Sequence, residues 1–307
     1  MRRFRAERAT ERTYQLAEGP VWDVVGQELL WVDIPAGDVH RGRLRGSSVV
    51  PTAGHHVDTT VSVVVPAPGR RLLVAGHHSV FLVDSAGATT EVARLVPDDQ
   101  ERRLNDGKCD PAGRFLVGTL PLGSDVHEFL YVIDPSRGVE VVDDDLQLSN
   151  GLGWSPDGAT MYSVDTTSGM LWERSYDGRT GARGERRELL HVADGSPDGM
   201  CVDVDGNLWV AIWGAGEIRH FSPRGELLGV VSVPAPHTSC PTFAGADLDT
   251  MVISTAADGL SPDQLAEYPD SGALFVADVG VRGLPATAWS GTADLSDAWP
   301  WTVSGRP

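Results

Sequence analysis

Short apolar runs rich in β-branched and aromatic residues, separated by Gly, Pro and Asp, make up most of the chain, and helical periodicity is nearly absent. The stretch from Ser196 to Val210 shows the unit. Met200-Cys201-Val202 reads as a strand, Asp205-Gly206 as a tight turn and Leu208-Trp209-Val210 as a second strand. Five other stretches read the same way: 17–23 with 29–33, 61–65 with 72–75 and 80–83, 104–108 with 115–118, 148–152 with 161–164, and 238–240 with 251–254 and 274–277. Further strands of the fourth unit are read at 169–174 and 186–190, around a polar turn at Asp177-Gly178-Arg179.

The units open near residues 18, 61, 105, 150, 198 and 240, a period of roughly 45, which is the length of one four-stranded propeller blade. A sandwich would also give short strands and turns, but it does not explain why Asx-Gly and Pro-Gly corners return at one phase of a long period. The pattern predicts an all-β, six-bladed β-propeller spanning residues 1–307 as a single domain. Residues 1–15 or the final strands would close the ring. Residues 291–307 match no unit, and the sequence leaves them either packed on the side of the ring or mobile.

The phase of the repeat also points to chemistry. Innermost propeller strands line a central channel, and the loop before each one sits at a mouth of it, so the residues that open the units converge there. These are Glu18, the Thr59-Thr60 region, Asn105, Asn150, Asp198 and the Ser239-Cys240 region. Two carboxylates and two carboxamides form an oxygen-rich cluster suited to a hard divalent cation such as Ca²⁺, Mg²⁺ or Mn²⁺, with waters completing its shell.

Pro-Asp-Gly and Asn-Gly are also ordinary turn chemistry. The chain supplies a control, because Ser155-Pro156-Asp157-Gly158 repeats the wording of Ser196-Pro197-Asp198-Gly199. Asp157 falls between two strands, at a hairpin tip. Asp198 comes before its inner strand, in a unit whose tip is already at Asp205-Gly206. Glu18-Gly19 and Asn150-Gly151 open their units in the same phase as Asp198. Position in the repeat, not the tripeptide, selects these three residues.

Composition narrows the partners. A formal net charge of -18 argues against nucleic acid, which needs a basic surface. The N-terminal Met1-Arg2-Arg3-Phe4-Arg5 is charged and no apolar stretch follows it, unlike a signal peptide. The longest apolar run, Val61 to Pro68, is too short to cross a bilayer. A soluble, cytoplasmic protein is expected. Three cysteines, Cys109, Cys201 and Cys240, are too few for a disulfide framework, lack zinc spacing and have no nucleophile pattern around them.

Other polar clusters have plainer readings. His55-His56 and His77-His78 can each offer one side chain to a given face of a strand, so surface or inter-blade packing is expected of them. Asp143-Asp144-Asp145 reads as a solvated loop, and Trp22, Trp31, Trp154, Trp172, Trp209 and Trp213 as inter-blade core. No nucleophile elbow, P-loop, zinc-protease helix or dinucleotide fingerprint occurs.

Several stretches taken in order carry a resemblance: Glu18-Gly19-Pro20-Val21-Trp22 with Leu30-Trp31-Val32-Asp33, Arg103-Leu104-Asn105-Asp106-Gly107-Lys108 with Asp110-Pro111-Ala112-Gly113-Arg114, Ser149-Asn150-Gly151-Leu152 with Trp154-Ser155, and Pro197-Asp198-Gly199-Met200-Cys201 with Leu208-Trp209-Val210-Ala211. From about Ala17 to Leu284 the chain resembles the senescence-marker-protein/gluconolactonase/regucalcin-like family of sugar lactonases. The resemblance implies a six-bladed propeller holding one divalent cation (Ca²⁺, Zn²⁺, Mn²⁺ or Mg²⁺) through Glu18, Asn150 and Asp198. It further implies that Arg103 and Asn105 bind a sugar-like substrate. There is one departure. The family carries acidic residues shortly after the Gly-Thr that matches Gly118-Thr119, and one of them contacts substrate. Here the chain reads Leu120-Pro121-Leu122-Gly123, with His127 and Glu128 as the available substitutes.

The implied reaction is hydrolysis of an aldonolactone to its open acid. The cation would act as Lewis acid, Asp198 as ligand and general base, and Arg103 with Asn105 as positioning groups. The same site would also suit phosphotriesters or other activated esters. A calcium- or sugar-binding propeller without turnover is the alternative of a different class.

Overall fold

The computed structural model describes residues 1–124 and 127–291, together with the backbone of 301–302. The fold is all-β and propeller-like, apart, among the described residues, from a 3₁₀ turn at Pro68–Arg70 and one short α-helix, α1 (Pro262–Glu267), which a Ser261–Gln264 capping box starts.

Two short strands, β1 (Arg2–Arg5) and β2 (Glu7–Arg8), precede the repeats. The first sheet contains β3 (Ala17–Asp23), β4 (Glu28–Asp33), β5 (Asp38–Arg45) and β6 (Ser48–His56). The second contains β7 (Val63–Ala67), β8 (Arg71–Ala75), β9 (Ser79–Val83) and β10 (Thr89–Arg94). The third runs through β11 (Arg102–Cys109), β12 (Phe115–Pro121), β13 (Glu128–Asp134) and β14 (Gly138–Leu146). The fourth runs through β15 (Ser149–Trp154), β16 (Thr160–Asp165), β17 (Met170–Ser175) and β18 (Arg187–His191). Each is an antiparallel meander in sequence order, as short connections favour.

The last two units differ from the expected pattern. β19 (Ser196–Val202), β20 (Leu208–Trp213), β21 (Glu217–Phe221) and β22 (Leu227–Ser232) share a nine-stranded sheet with β23 (His237–Ala244), β24 (Thr250–Ala256), β25 (Phe275–Asp278), β1 and β2. A single residue pair, Trp213 opposite His237, joins the two parts. The N-terminus closes the ring: β2 pairs with β25, while β1 adds in parallel to β22. Of the C-terminal stretch that matches no unit, Trp301–Thr302 (β26) pairs with β10, and the rest beyond Gly291 lies outside the described residues.

The inner strands β3, β7, β11, β15, β19 and β23 each contact the next, and β23 returns to β3. Among the described residues, six apolar clusters lie between consecutive units, the one around Trp22, Trp31, Val252 and Leu274 joining the last unit to the first. Trp22, Trp31, Trp154 and Trp209 are buried there, as expected. Trp172 and Trp213 are not. Trp172 is half-buried under the Arg186 guanidinium, and Trp213 stacks on His237 at 4.2 Å. Asp143 also departs from its reading as solvated loop: it sits on β14 and pairs with the buried Arg174.

Buried aspartates brace the hairpins. Asp203 is fully buried and accepts hydrogen bonds from the backbone N–H of Asp205 and Asn207 and from Trp209 Nε1, at 3.0, 2.8 and 3.0 Å. Burial disfavours its ionised form, but the nearby His220 ring, 3.6 Å away, and hydrogen bonds from Trp209 and Asn207 outweigh burial and hold the carboxyl below the usual range. A depressed folded-state pKa stabilises the fold above the unfolded value of about 3.9, and that stability is lost as pH falls through the folded value. Asp203→Asn is therefore expected to cost about 1–3 kcal/mol at neutral pH. Denaturant unfolding at pH 7 and below pH 4 should show the deficit shrinking on the acid side.

Candidate functional site

The residues singled out in the sequence lie on inner strands: Glu18 on β3, Asn105 on β11, Asn150 on β15 and Asp198 on β19. The expected location, in the loops before these strands, is corrected for all four. Asp198, for one, does not precede its strand but is its third residue, and a bulge rather than a loop corner aims it. Five of the six inner strands break register at this level: after Glu18, Leu104, Asn150, Pro197 and Thr238. At β11, Asn105 and Asp106 together face one partner position, and at β19 Asp198 and Gly199 do the same. Bulges turn side chains that a regular strand would send to alternate faces.

Asx-Gly pairs serve this geometry. A Cβ on Gly151 would lie 2.5 Å from the Asp198 carbonyl oxygen, and one on Gly199 would lie 2.5 Å from the Cys240 side chain. The glycines let neighbouring inner strands approach, which places Asn150 beside Asp198. Gly151→Ala is expected to push β15 and β19 apart and to destabilise the fold by about 1–3 kcal/mol. Denaturant unfolding of that variant checks this.

Asn150 Nδ2 donates to Asp198 Oδ1, and to Thr166 Oγ1 at 3.1 Å. Glu18 Oε2 accepts the Gly19 N–H at 2.6 Å. Both carboxylates are buried. Burial, followed by the charges of Asp198 and Asp106, pushes the Glu18 carboxyl well above its ordinary range. Burial and then Asp106 do the same to Asp198, against the opposing Asn150 amide, Gly199 N–H and Arg103. Carboxylates crowded out of water lack positive charge, and that deficit is what a cation would satisfy. Glu18, Asp198 and the Asn150 side-chain oxygen, which accepts the Gly151 N–H at 3.2 Å, are the groups here that could offer oxygens to a hard divalent ion. Among the described residues, no group of three or more His, Cys, Asp or Glu is placed to hold a metal.

Arg103 lies within electrostatic reach of this cluster. Burial lowers its pKa to about 10, against the countering charges of Glu18, Asp198 and Asp258. Its Nη1 donates to the Leu104 carbonyl and to Asn105 Oδ1, both at 2.9 Å. Asn105 is buried, and its Nδ2 donates to the Ser149 carbonyl at 2.9 Å. Engaged at both ends of its amide, Asn105 acts on this geometry as the holder of Arg103.

Other unit-opening residues do structural work. Thr60 Oγ1 meets His77 Nδ1 at 3.0 Å, and Ser239 Oγ donates to the Ala17 carbonyl at 2.7 Å, tying β23 to β3. Glu128 is corrected as a substitute acid: it is buried, 3.8 Å from Arg102, on the face of the sheet opposite to that of Arg103. His127 is exposed, and its carbonyl accepts a bond from Arg102.

Two residues escaped the sequence reading, although both lie in the quoted Asn105-Asp106-Gly107-Lys108. Asp106 is buried and its charge acts on Glu18 and Asp198. Lys108 Nζ bridges the Leu152 and Met200 carbonyls of β15 and β19, at 2.9 and 2.8 Å. The consecutive polar run was the available signal, but alternation along a regular strand hides it. Both residues also border a cavity of about 940 Å³ that extends toward the hairpin tips, past Val21, Trp154, Phe243 and Leu284.

Fold and site together define an all-β, propeller-like protein that gathers acids and amides where its inner strands converge. The sequence profile of the SMP-30/Gluconolactonase/LRE-like region matches residues 16–257, and the chain belongs to that family. It is 33% identical to regucalcin of Xenopus laevis over 306 residues, covering 95% of this chain and 100% of the relative. Among solved structures it is similar to a calcium-binding protein, regucalcin, from Agrobacterium tumefaciens, with a TM-score of 0.87 and 27% identity over 94% of this chain and 98% of that one. It is also similar to a luciferin-regenerating enzyme, with a TM-score of 0.82 and 27% identity over 90% of this chain and 95% of that one.

Proposed function

We propose that this protein is a divalent-cation-dependent lactonase that opens a sugar lactone to its acid, on a single-domain, six-bladed propeller. The ring of six inner strands supports the blade count. The observation that carries the functional reading is the convergence of Glu18, Asn150 and Asp198 from three strands, two of them buried carboxylates held above their usual pKa range with Arg103 in reach. Family membership supplies the lactone class.

The reaction adds a water oxygen to the lactone carbonyl carbon and breaks the ring C–O bond. The freed ring oxygen takes up a proton, and the new carboxylic acid ionises. Glu18, Asn150 and Asp198 would hold the cation, which supplies Lewis-acid polarisation of the carbonyl. Asp198 takes the proton of the attacking water. Arg103, fixed by Asn105, orients the ring through its hydrogen bonds. Because the site is largely buried, water that does not react is kept from the carbonyl.

A second reading, a calcium-binding propeller without turnover, draws support from the name of the Agrobacterium relative. A pH-stat screen of five- and six-carbon aldonolactones, with a phosphotriester as comparison, separates the readings. Acid release from a lactone well above release from the phosphotriester supports the lactonase. Tight calcium binding with no acid release from any lactone would sink it.

A further inference from the structure

Arg103 leaves most of its guanidinium unspent. Nη1 serves the protein, while among the described residues neither Nε nor Nη2 has a hydrogen-bond partner and no carboxylate stands within ion-pair distance. The sheet explains why. Leu120 lies directly opposite Arg103, and the Leu122 N–H bonds to the Glu101 carbonyl at 2.8 Å, so Leu120, Leu122 and Glu101 share the face of Arg103, the exposed Glu101 carboxylate making no ion pair with it among the described residues. Leu122 is 55% exposed, an apolar side chain beside the site where a carboxylate would otherwise be able to reach the guanidinium. Glu128 faces Arg102 instead.

The next polar group is His77, whose backbone N–H donates to Asp58 Oδ2 at 2.8 Å. His77 accepts the Leu104 N–H on its carbonyl at 2.9 Å and uses Nδ1 on Thr60, which leaves Nε2 without a partner among the described residues. Burial and then His78 lower its pKa, so it is a neutral ring at pH 7. Arg103 has the charges of Glu18, Asp198 and Asp258 in reach but, among the described residues, no carboxylate paired with it, and its two remaining donor positions match a planar carboxylate. Glu18 and Asp198 would repel such a group, but theirs is the charge that a bound divalent cation cancels.

We infer that the substrate is a lactone carrying its own carboxylate, which Arg103 binds through Nε and Nη2, and not a neutral polyhydroxy lactone. This rests on the lactonase reading above and narrows it.

The test uses two 1,4-lactones of six-carbon sugar acids that differ at the far end, a carboxylate in one and a hydroxymethyl in the other. The full chain with calcium should show kcat/KM at least tenfold higher for the carboxylate lactone. Arg103→Met should erase that preference, Arg103→Lys should retain part of it, and Leu122→Glu should bring the two lactones toward parity. Calorimetry with the two open-chain acids gives a readout independent of turnover, with the dicarboxylate expected to bind at least tenfold tighter and to lose that advantage in Arg103→Met. Equal rates and equal affinities, with Arg103→Met lowering both alike, overturn the inference and leave the lactonase standing. A dicarboxylate preference in binding, without hydrolysis of either lactone, retains the anion site and overturns the lactonase. No preference in either measurement overturns the inference whatever the turnover.

Discussion

Asp198→Asn is expected to lower lactone kcat/KM by about 10²–10⁴-fold and to weaken calcium binding in parallel. The size follows from two roles meeting in one side chain. Asp198 is buried, accepts the Asn150 amide, and stands in the same field as Glu18 and Asp106. Replacing it with the neutral isostere removes one of two carboxylates from the proposed ligand set and also removes the proton acceptor. Asp157→Asn is the matched control, because it carries the same Pro-Asp-Gly wording at an exposed hairpin tip. Steady-state kinetics and calcium calorimetry should find that control close to wild type. Near-normal kinetics in Asp198→Asn would remove Asp198 from the chemistry.

The second large effect is on stability. Deleting residues 1–10 is expected to destabilise the fold by about 5 kcal/mol, a large part of what a folded domain has. The segment is small, but it closes the ring. β2 covers Phe275 by pairing with β25, the Ala9 N–H donates to the Leu274 carbonyl at 2.8 Å, and the Leu274 N–H donates to Thr10 Oγ1 at 3.0 Å. Phe4 packs on Trp209, with ring centroids 6.3 Å apart. Removal would expose Leu274, Phe275 and part of Trp209, all fully buried in the intact chain, along with an unpaired strand edge. Thermal unfolding should show a broad, early transition with dye binding to apolar surface. An unchanged melting temperature would mean that the ring is closed by other contacts.

Much of this was legible in the chain. β3 spans the residues read from Ala17-Glu18-Gly19-Pro20-Val21-Trp22-Asp23, and the Pro-Asp-Gly tip at Asp157 falls between β15 and β16. Local chemistry decides such features, through turn residues and short apolar runs. The grouping of Glu18, Asn150 and Asp198 was legible because a repeat converts sequence phase into a position around a ring. Features decided by pairing across the molecule were not. The bulges that turn Asp198 and Asp106 inward depend on the register of the second strand. The Asp143–Arg174 pair and the turning of Glu128 toward Arg102 depend on which strands become neighbours. The single Trp213–His237 bridge that fuses two units into one sheet is likewise a matter of how closely two strands approach.

The most direct test of the central claim is lactone hydrolysis before and after removal of divalent cations, with calcium titrated back into the same sample. Chelation is expected to abolish acid release. One equivalent of cation should restore it, and Glu18→Gln, Asn150→Ala and Asp198→Asn should each prevent the restoration. Full activity in the chelated protein, or restoration in all three variants, would contradict a cation-dependent reaction.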